Sequence, residues 1–121
     1  MSRAAAMYQR VDLESAPKHR IVERLFERFA RDVEEARTAI AAKNVAVKAV
    51  SIDHALRIVS ELEAALDHAA APELCENLAA LYAFVTRRLV EANTKLDVKA
   101  LADAARIMRD LDVAFRGAAP R

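Results

Sequence analysis

Apolar residues recur along most of the chain at alternating spacings of three and four residues, with polar residues between them. This spacing places apolar side chains on one face of an α-helix and does not fit a β-strand, in which every second residue shares a face. Four stretches predict four amphipathic helices, and their apolar positions are, in order, Val22, Leu25, Phe29, Val33, Ala36 and Ile40; Ile52, Ala55 with Leu56, Val59, Leu62 and Leu66; Leu74, Leu78, Leu81 with Tyr82, Val85, Leu89, Ala92 and Leu96; and Val98, Leu101, Ala105, Met108, Leu111 and Phe115.

The residues that flank these stretches are typical of helix ends. Ser15 can cap the first helix, and Asn44 tolerates the left-handed conformation that often ends one. Pro72 closes the second helix and suits the first turn of the third. Asp97 is the expected N-cap of the fourth helix, which Gly117 ends together with Pro120.

The short connections between the predicted helices define the architecture. Long helices joined in this way pack side by side, with neighbours antiparallel. We therefore predict an all-α fold, an antiparallel up-down-up-down four-helix bundle over residues 16–117, preceded by an N-terminal arm of residues 1–15. The predicted helices cover about residues 16–42, 45–70, 72–96 and 98–116.

Composition and charge exclude several classes of function. The 19 basic and 18 acidic residues leave a net charge of +1, which predicts neither nucleic acid nor a membrane surface as a partner. The single glycine cannot form a Gly-rich phosphate loop, and the single cysteine cannot form an intrachain disulfide. The sequence offers neither a signal peptide nor a membrane-spanning apolar run, so a cytoplasmic location is expected.

The sequence also argues against a metal site and against catalysis. His19, His54 and His68 lack an acidic residue three positions before them, so the Glu-x-x-His pairs of di-iron bundles are missing. We expect these histidines to be exposed at helix starts and ends. Cys75 has no cysteine or histidine at zinc spacing and is expected to be a core or boundary residue. We predict no metal, no cofactor and no enzymatic activity.

Charged residues alternate in sign along the predicted helices. Opposite charges four residues apart mark a solvated helix face and stabilise it only slightly. The predicted pairs are Glu27 with Arg31, Asp53 with Arg57 and Arg87 with Glu91.

Several apolar residues fall outside the four stripes and suggest a binding function. Ile58, Phe84 and Ile107 are displaced by roughly 100° from the centres of their stripes, and Val50 and Val90 lie almost opposite theirs. Such residues either widen the buried arc of each helix or line grooves that a partner's amphipathic helix could occupy. The sequence leaves both interpretations open.

The most specific motif lies in the third predicted helix. Residues 73–82 read ELCENLAALY, residues 87–93 read RRLVEAN, and Asp97 opens the next helix. This pattern resembles the FliS family of flagellin export chaperones. Tyr8–Gln9 resembles the family's N-terminal Tyr-Gln element, and residues 16–26 resemble its entry into the first helix. The resemblance covers about residues 7–117.

The resemblance implies a cytoplasmic chaperone that holds the disordered C-terminal segment of flagellin. In this family the segment becomes helical in surface grooves of the bundle, which prevents premature polymerisation and presents flagellin to the flagellar type III export gate. Tyr8 would anchor the arm over part of a groove. Arg87, Arg88 and Asn93 match the motif, and we expect them to fix helix–helix or loop contacts, with Tyr82 in the core. The expected partner-binding residues are Tyr8, Val50, Ile58, Phe84, Val90 and Ile107.

The first helix departs from the family pattern. Many members carry Met-Leu-Tyr-Asp/Glu-Gly after an aliphatic pair, whereas this chain has Arg24 and Arg28 at the apolar and the small position. One extra residue, Lys18, also precedes His19. These changes keep open an alternative function, a bundle adaptor or regulator of flagellar assembly that binds a different client. A monomer and a weak homodimer are both compatible with the sequence.

Overall fold

The computed structural model describes residues 16–117, with side chains from His19 onward. It contains α1 (Ala16–Ala41), α2 (Val45–Ala64), α3 (Pro72–Lys95) and α4 (Val98–Arg116). The predicted arm of residues 1–15 and the predicted helix-ending Pro120 lie outside the described residues.

The four helices form the predicted bundle. Each helix packs on the next one along the chain, and α1 also packs on α4, so the helices close into a ring around one core. Within the described part of the chain no residue forms a β-strand. The fully buried core combines large side chains from all four helices, among them Phe29, Ile52, Leu62, Tyr82, Leu89, Leu101 and Phe115.

Local capping explains where α2 and α4 begin. The Asp97 carboxylate accepts hydrogen bonds from the backbone N–H groups of Lys99 and Ala100 at 3.0 and 3.3 Å, as an N-cap does. The helix break near Asn44 is confirmed, but Lys43 rather than Asn44 takes the left-handed conformation, with φ of 59°. The Asn44 side chain instead accepts the Val47 N–H at 3.1 Å and caps α2. Asparagine is favoured in both roles, and here capping prevails.

The second helix ends at Ala64, six residues before the predicted end at residue 70. Asp67 explains the difference, because its carboxylate accepts the backbone N–H of Ala70 at 3.2 Å and holds a turn. Leu66 nevertheless stays in the core, so the predicted apolar stripe is correct beyond the end of the helix.

Two of the three histidines differ from the expectation of exposed positions at helix ends: His54 is exposed but lies in the middle of α2, and His19 is not exposed. His54 and His68 are exposed, whereas His19 is buried and its ring stacks on Phe115, with centroids 4.0 Å apart and planes 11° apart. The reason is geometric, since His19 lies beside the apolar stripe of α1, on the side that faces α4, where Phe115 covers it. The prediction that His19 is exposed was wrong.

Tyr82 carries a buried hydroxyl that has no hydrogen-bond partner among the described residues. Its burial raises the pKa of the phenol above the usual value near 10. Above about pH 10 the unfolded chain therefore ionises before the folded one and binds fewer protons, so the free energy of unfolding falls as pH rises.

We expect Tyr82→Phe to raise the free energy of unfolding by up to about 1 kcal/mol at neutral pH, because it removes an unsatisfied polar group. The difference in the free energy of unfolding between the variant and wild type should grow above about pH 10, because only wild type can ionise at this position. Urea denaturation at neutral and alkaline pH measures both effects, with Tyr8→Phe as the control for the second tyrosine. A loss of more than about 1 kcal/mol at neutral pH would mean that the hydroxyl has a partner.

Candidate partner-binding surface

The contact between α3 and α4 is fixed by Arg88. Its guanidinium donates from Nε and Nη2 to Oδ2 of Asp103, at 3.2 and 3.0 Å, and from Nη1 to the Glu91 carboxylate. Arg88 is largely buried, so these charge-assisted bonds are only weakly screened. This residue of the sequence motif therefore acts between helices, as expected, and it sets the register of α3 against α4.

That register brings two of the expected binding residues together. Phe84 lies four residues before Arg88, and Ile107 lies four residues after Asp103. Residues four apart share a helix face, and α3 and α4 run antiparallel. Phe84 and Ile107 therefore both lie about one helical turn from the Arg88–Asp103 contact, in the same direction along the boundary between the two helices. Both are half-buried, and the Arg87 guanidinium lies 5.9 Å from the centre of the Phe84 ring.

Leu81 extends this surface by one more turn of α3 and is 38% exposed. We call Leu81, Phe84 and Ile107 the α3–α4 seam. It offers an aromatic and two aliphatic side chains that are neither fully buried nor fully solvated. Side chains of this kind, partly exposed between two helices, suit the apolar face of an incoming helix.

The other expected residues do not join this seam. Ile58 is only 6% exposed and belongs to the core, because α1 and α3 flank α2 and bury a wide arc of it. Val50 and Val90 are exposed, at 55% and 45%. Tyr8 lies outside the described residues.

A second polar contact, between α2 and α3, shows why Val50 and Val90 face different sides of the bundle. Lys48 on α2 is buried and donates from Nζ to the backbone carbonyl of Asn93 on α3 at 2.8 Å. Val90 lies near this contact, one turn before Asn93. Val50 follows Lys48 by two residues, or about 200° of helix rotation, and so faces away from α3.

The sequence did not reveal a groove between α1 and α4. It encloses about 310 Å³, and Ala30 and Ala105 on opposite sides leave it open because their side chains are small. The side chains of Phe26 and Met108 form the apolar floor of the groove. The remaining lining residues are Phe29, Val33, Glu34, Arg109 and Asp112. Small residues at matching heights on α1 and α4 are the signal that could have indicated it.

A second cavity of about 250 Å³ lies at the end of the bundle where α1 meets α2. It is lined mainly by apolar side chains, and Val45 and Leu96 are exposed beside it. Leu96 has φ of 54°, a left-handed conformation that a leucine rarely adopts. The sequence pattern predicts that Leu96 lies on the buried face of the third helix. In the structure this helix ends at Lys95 and the chain turns at Leu96, so the Leu96 side chain is exposed.

Residues 19–117 offer no activated thiol, no metal-ion site and no membrane-spanning helix. Burial, followed by the charge of Asp67, raises the pKa of the Cys75 thiol and so disfavours the thiolate. Among residues 19–117 no three histidine, cysteine, aspartate or glutamate side chains group so that they could hold a metal ion. Within that part of the chain no helix is long and apolar enough to cross a membrane.

Comparison with known proteins places this bundle in a family. Residues 1–121 match the family model described as flagellar protein FliS. The chain is 30% identical over 119 residues to the flagellar secretion chaperone FliSB of Pseudomonas aeruginosa, covering 95% of this chain and 94% of that protein. It is 32% identical over 103 residues to the flagellar secretion chaperone FliS of Escherichia coli, covering 84% and 76%. The FliS of Salmonella typhimurium is 28% identical over 119 residues, covering 94% and 88%. The chain belongs to the FliS family of flagellar secretion chaperones.

Proposed function

We propose that this protein is a cytosolic export chaperone that binds the disordered C-terminal segment of flagellin. Binding would prevent premature polymerisation of flagellin and deliver it to the flagellar type III export apparatus. Family membership supports the chaperone role, and the α3–α4 seam supports the binding of an apolar, helix-forming segment. On this proposal the protein acts by binding alone, without catalysis or a cofactor.

The observation that carries the proposal is the distribution of apolar surface over several faces of the bundle. The α3–α4 seam, the groove between α1 and α4, and the exposed side chains of Val50 and Val90 belong to different helix pairs or faces. A disordered segment can cover such separate sites in turn as it folds around the bundle. We propose Tyr8, Val50, Phe84, Val90 and Ile107 as contacts on this path, with Ile58 supporting the bundle surface from within the core.

Calorimetric titration with the C-terminal segment of the flagellin encoded in the same genome tests this proposal. We expect submicromolar binding and a large negative change in heat capacity, because a segment that folds on the bundle buries apolar surface. A peptide with the same composition in scrambled order is the control, since it retains charge and hydropathy but lacks the helix-forming pattern. Absence of binding by the native segment would overturn the proposal.

The exposed Arg24 and Arg28 of α1 favour one alternative, an adaptor or regulator of flagellar assembly with a different client. They place charge where the family pattern has an apolar and a small residue. The same titration separates the two functions, because an adaptor of this kind would not bind the flagellin segment. Its client would then be sought among the other exported flagellar subunits of the organism.

A further inference from the structure

Four arginines form a continuous stripe on the outer face of α1. Arg20, Arg24, Arg28 and Arg31 are spaced by four, four and three residues, so their side chains share one face of the helix, and all four are exposed. The stripe extends about 16 Å along the helix axis, at a rise of about 1.5 Å per residue. Glu35, one turn beyond Arg31, marks its end.

The carboxylates of the same half of α1 are directed away from the stripe. Glu27 accepts a hydrogen bond from Nη2 of Arg116 on α4 at 3.0 Å, rather than pairing with Arg31 as the sequence predicts. Glu23 lies 3.6 Å from Nη1 of Arg116 and 3.3 Å from Nε2 of His19. Among the described residues, none of the four stripe arginines has a carboxylate within ion-pair distance.

Helix stability does not explain this arrangement. Like charges four residues apart, such as Arg20 with Arg24 and Arg24 with Arg28, slightly destabilise a helix. Basic residues near the start of a helix also oppose its macrodipole, and the first turn of α1 contains no acidic residue that would offset this. Asp32 offsets part of this repulsion, because Arg28 and Arg31 both act electrostatically on its carboxylate. An anionic group bound against the outer face of the stripe would offset the remainder.

An apolar strip, formed by Ile21 and Leu25, lines the edge of the arginine stripe that faces α2. Ile21 is 57% exposed, Leu25 is half-buried one turn later, and Arg28 continues the same edge. A shallow groove of about 210 Å³ begins there, with Ile58 in its lining. Its far side, on α2, is polar and carries His54, Arg57 and Glu61. The surface thus combines a row of guanidinium groups with a narrow apolar edge.

We propose that this face of α1 binds an acidic amphipathic peptide segment of a partner protein. Guanidinium groups bind carboxylates through paired hydrogen bonds, and a row with about one arginine per turn matches carboxylates repeated at helical spacing. The apolar strip receives the leucine-like side chains of the same segment. The face belongs to α1, whereas the α3–α4 seam is formed by α3 and α4, so the inference does not rest on the proposed flagellin site.

The charge around the stripe favours a peptide over nucleic acid or a membrane. The whole chain carries a net charge of only +1, and exposed carboxylates of Glu35 and Asp53 lie on the flanking parts of α1 and α2. An extended array of phosphates would meet these carboxylates beyond the short basic stripe, while a single narrow segment would not. Nucleic-acid phosphates would also leave the apolar strip of Ile21 and Leu25 unused.

A synthetic peptide of about 12 residues, long enough as a helix to follow the stripe, provides the probe. It carries glutamate on one face and leucine on the adjacent edge and is labelled for fluorescence anisotropy. We expect the double variant Arg24→Gln/Arg28→Gln to bind it about tenfold more weakly than wild type, because two charge-assisted contacts are lost. Glutamine keeps helix propensity, so circular dichroism should be unchanged.

The matched control is Arg87→Gln/Arg106→Gln, which removes two exposed arginines from α3 and α4 and should change the affinity less than about twofold. An equal loss in both variants would overturn the proposal, since it would show attraction by net charge alone. Failure of wild type to bind the probe would overturn it as well, as would tighter binding to duplex DNA or to vesicles of anionic lipid. The stripe variant should still bind the flagellin segment, which distinguishes this proposal from the proposed function.

Discussion

Replacing Phe115 with alanine is expected to lower the free energy of unfolding by about 3–5 kcal/mol. The Phe115 side chain is completely buried near the end of α4, where its ring stacks on His19 and lies 6.1 Å from the ring of Phe26. These contacts join the last turn of α4 to the first half of α1. Truncation therefore removes buried apolar surface and leaves a cavity at a helix end, where two neighbouring rings lose their packing partner.

Urea denaturation followed by circular dichroism measures this effect by linear extrapolation. The control is Val113→Ala, on the same helix and 66% exposed, which should change the free energy of unfolding by no more than about 0.5 kcal/mol. Domains of this size have a total stability of about 5–15 kcal/mol, so the Phe115→Ala variant should still fold but with a much lower midpoint. A loss below about 1 kcal/mol would contradict the packing described for this end of the bundle.

The parts of the fold that depend on local spacing could be predicted from the sequence. Phe29, Leu62 and Leu89 occupy the centres of their stripes and are buried in the structure. The N-cap role of Asp97 depends only on the next three residues, and it is confirmed by two backbone hydrogen bonds. Helical periodicity gives the direction of each side chain relative to its own helix, which is sufficient when every helix packs on the same core.

Burial at the edges of a stripe could not be predicted in this way. Ile58 and His19 both lie beside the apolar stripe of their own helix, and a neighbouring helix covers each of them. How far a neighbour extends around a helix depends on the crossing angle and on the side chains of both partners. The choice between Lys43 and Asn44 for the left-handed position similarly depends on which residue can cap the next helix.

The pairing of charged residues also depends on how the helices pack, and it could not be predicted from one helix alone. Asp53 and Arg57 form the predicted pair four residues apart, at 3.1 Å. Glu27 instead binds Arg116, 89 residues away, and Glu91 binds Arg88 rather than Arg87. An exposed pair within one helix contributes only tenths of a kcal/mol, so a better-placed partner on another helix replaces it easily.

The candidate site was predicted only as a set of residues, not as a surface. The Arg88–Asp103 contact sets the register that brings Phe84 and Ile107 to the same height, and this register could not be read from either helix alone. Val50 and Val90 were identified by the same pattern, yet they face different sides of the bundle. Displacement from a stripe therefore identifies candidates for exposure, and the packing of the helices decides which of them can act together.

The double variant Phe84→Glu/Ile107→Glu is expected to weaken binding of the flagellin C-terminal segment by about 100-fold or more, equivalent to about 2.7 kcal/mol. On the proposed function this seam accepts apolar side chains of the bound segment. A carboxylate in that position must either lose its hydration or hold the segment away from the seam, and both consequences reduce affinity. Calorimetric titration measures the change, and circular dichroism checks that the variant is folded.

Two further variants separate loss of the seam from loss of the fold. Leu81→Glu changes a more exposed residue of the seam, so it should weaken binding about tenfold while leaving the free energy of unfolding within about 0.5 kcal/mol of wild type. Val113→Glu adds the same charge to α4 at a position 66% exposed and outside the seam, and it should leave the affinity nearly unchanged. If Leu81→Glu and the double variant both bind the segment as tightly as wild type, the seam is not part of the flagellin site. If Val113→Glu weakens binding equally, added negative charge rather than the seam explains the loss.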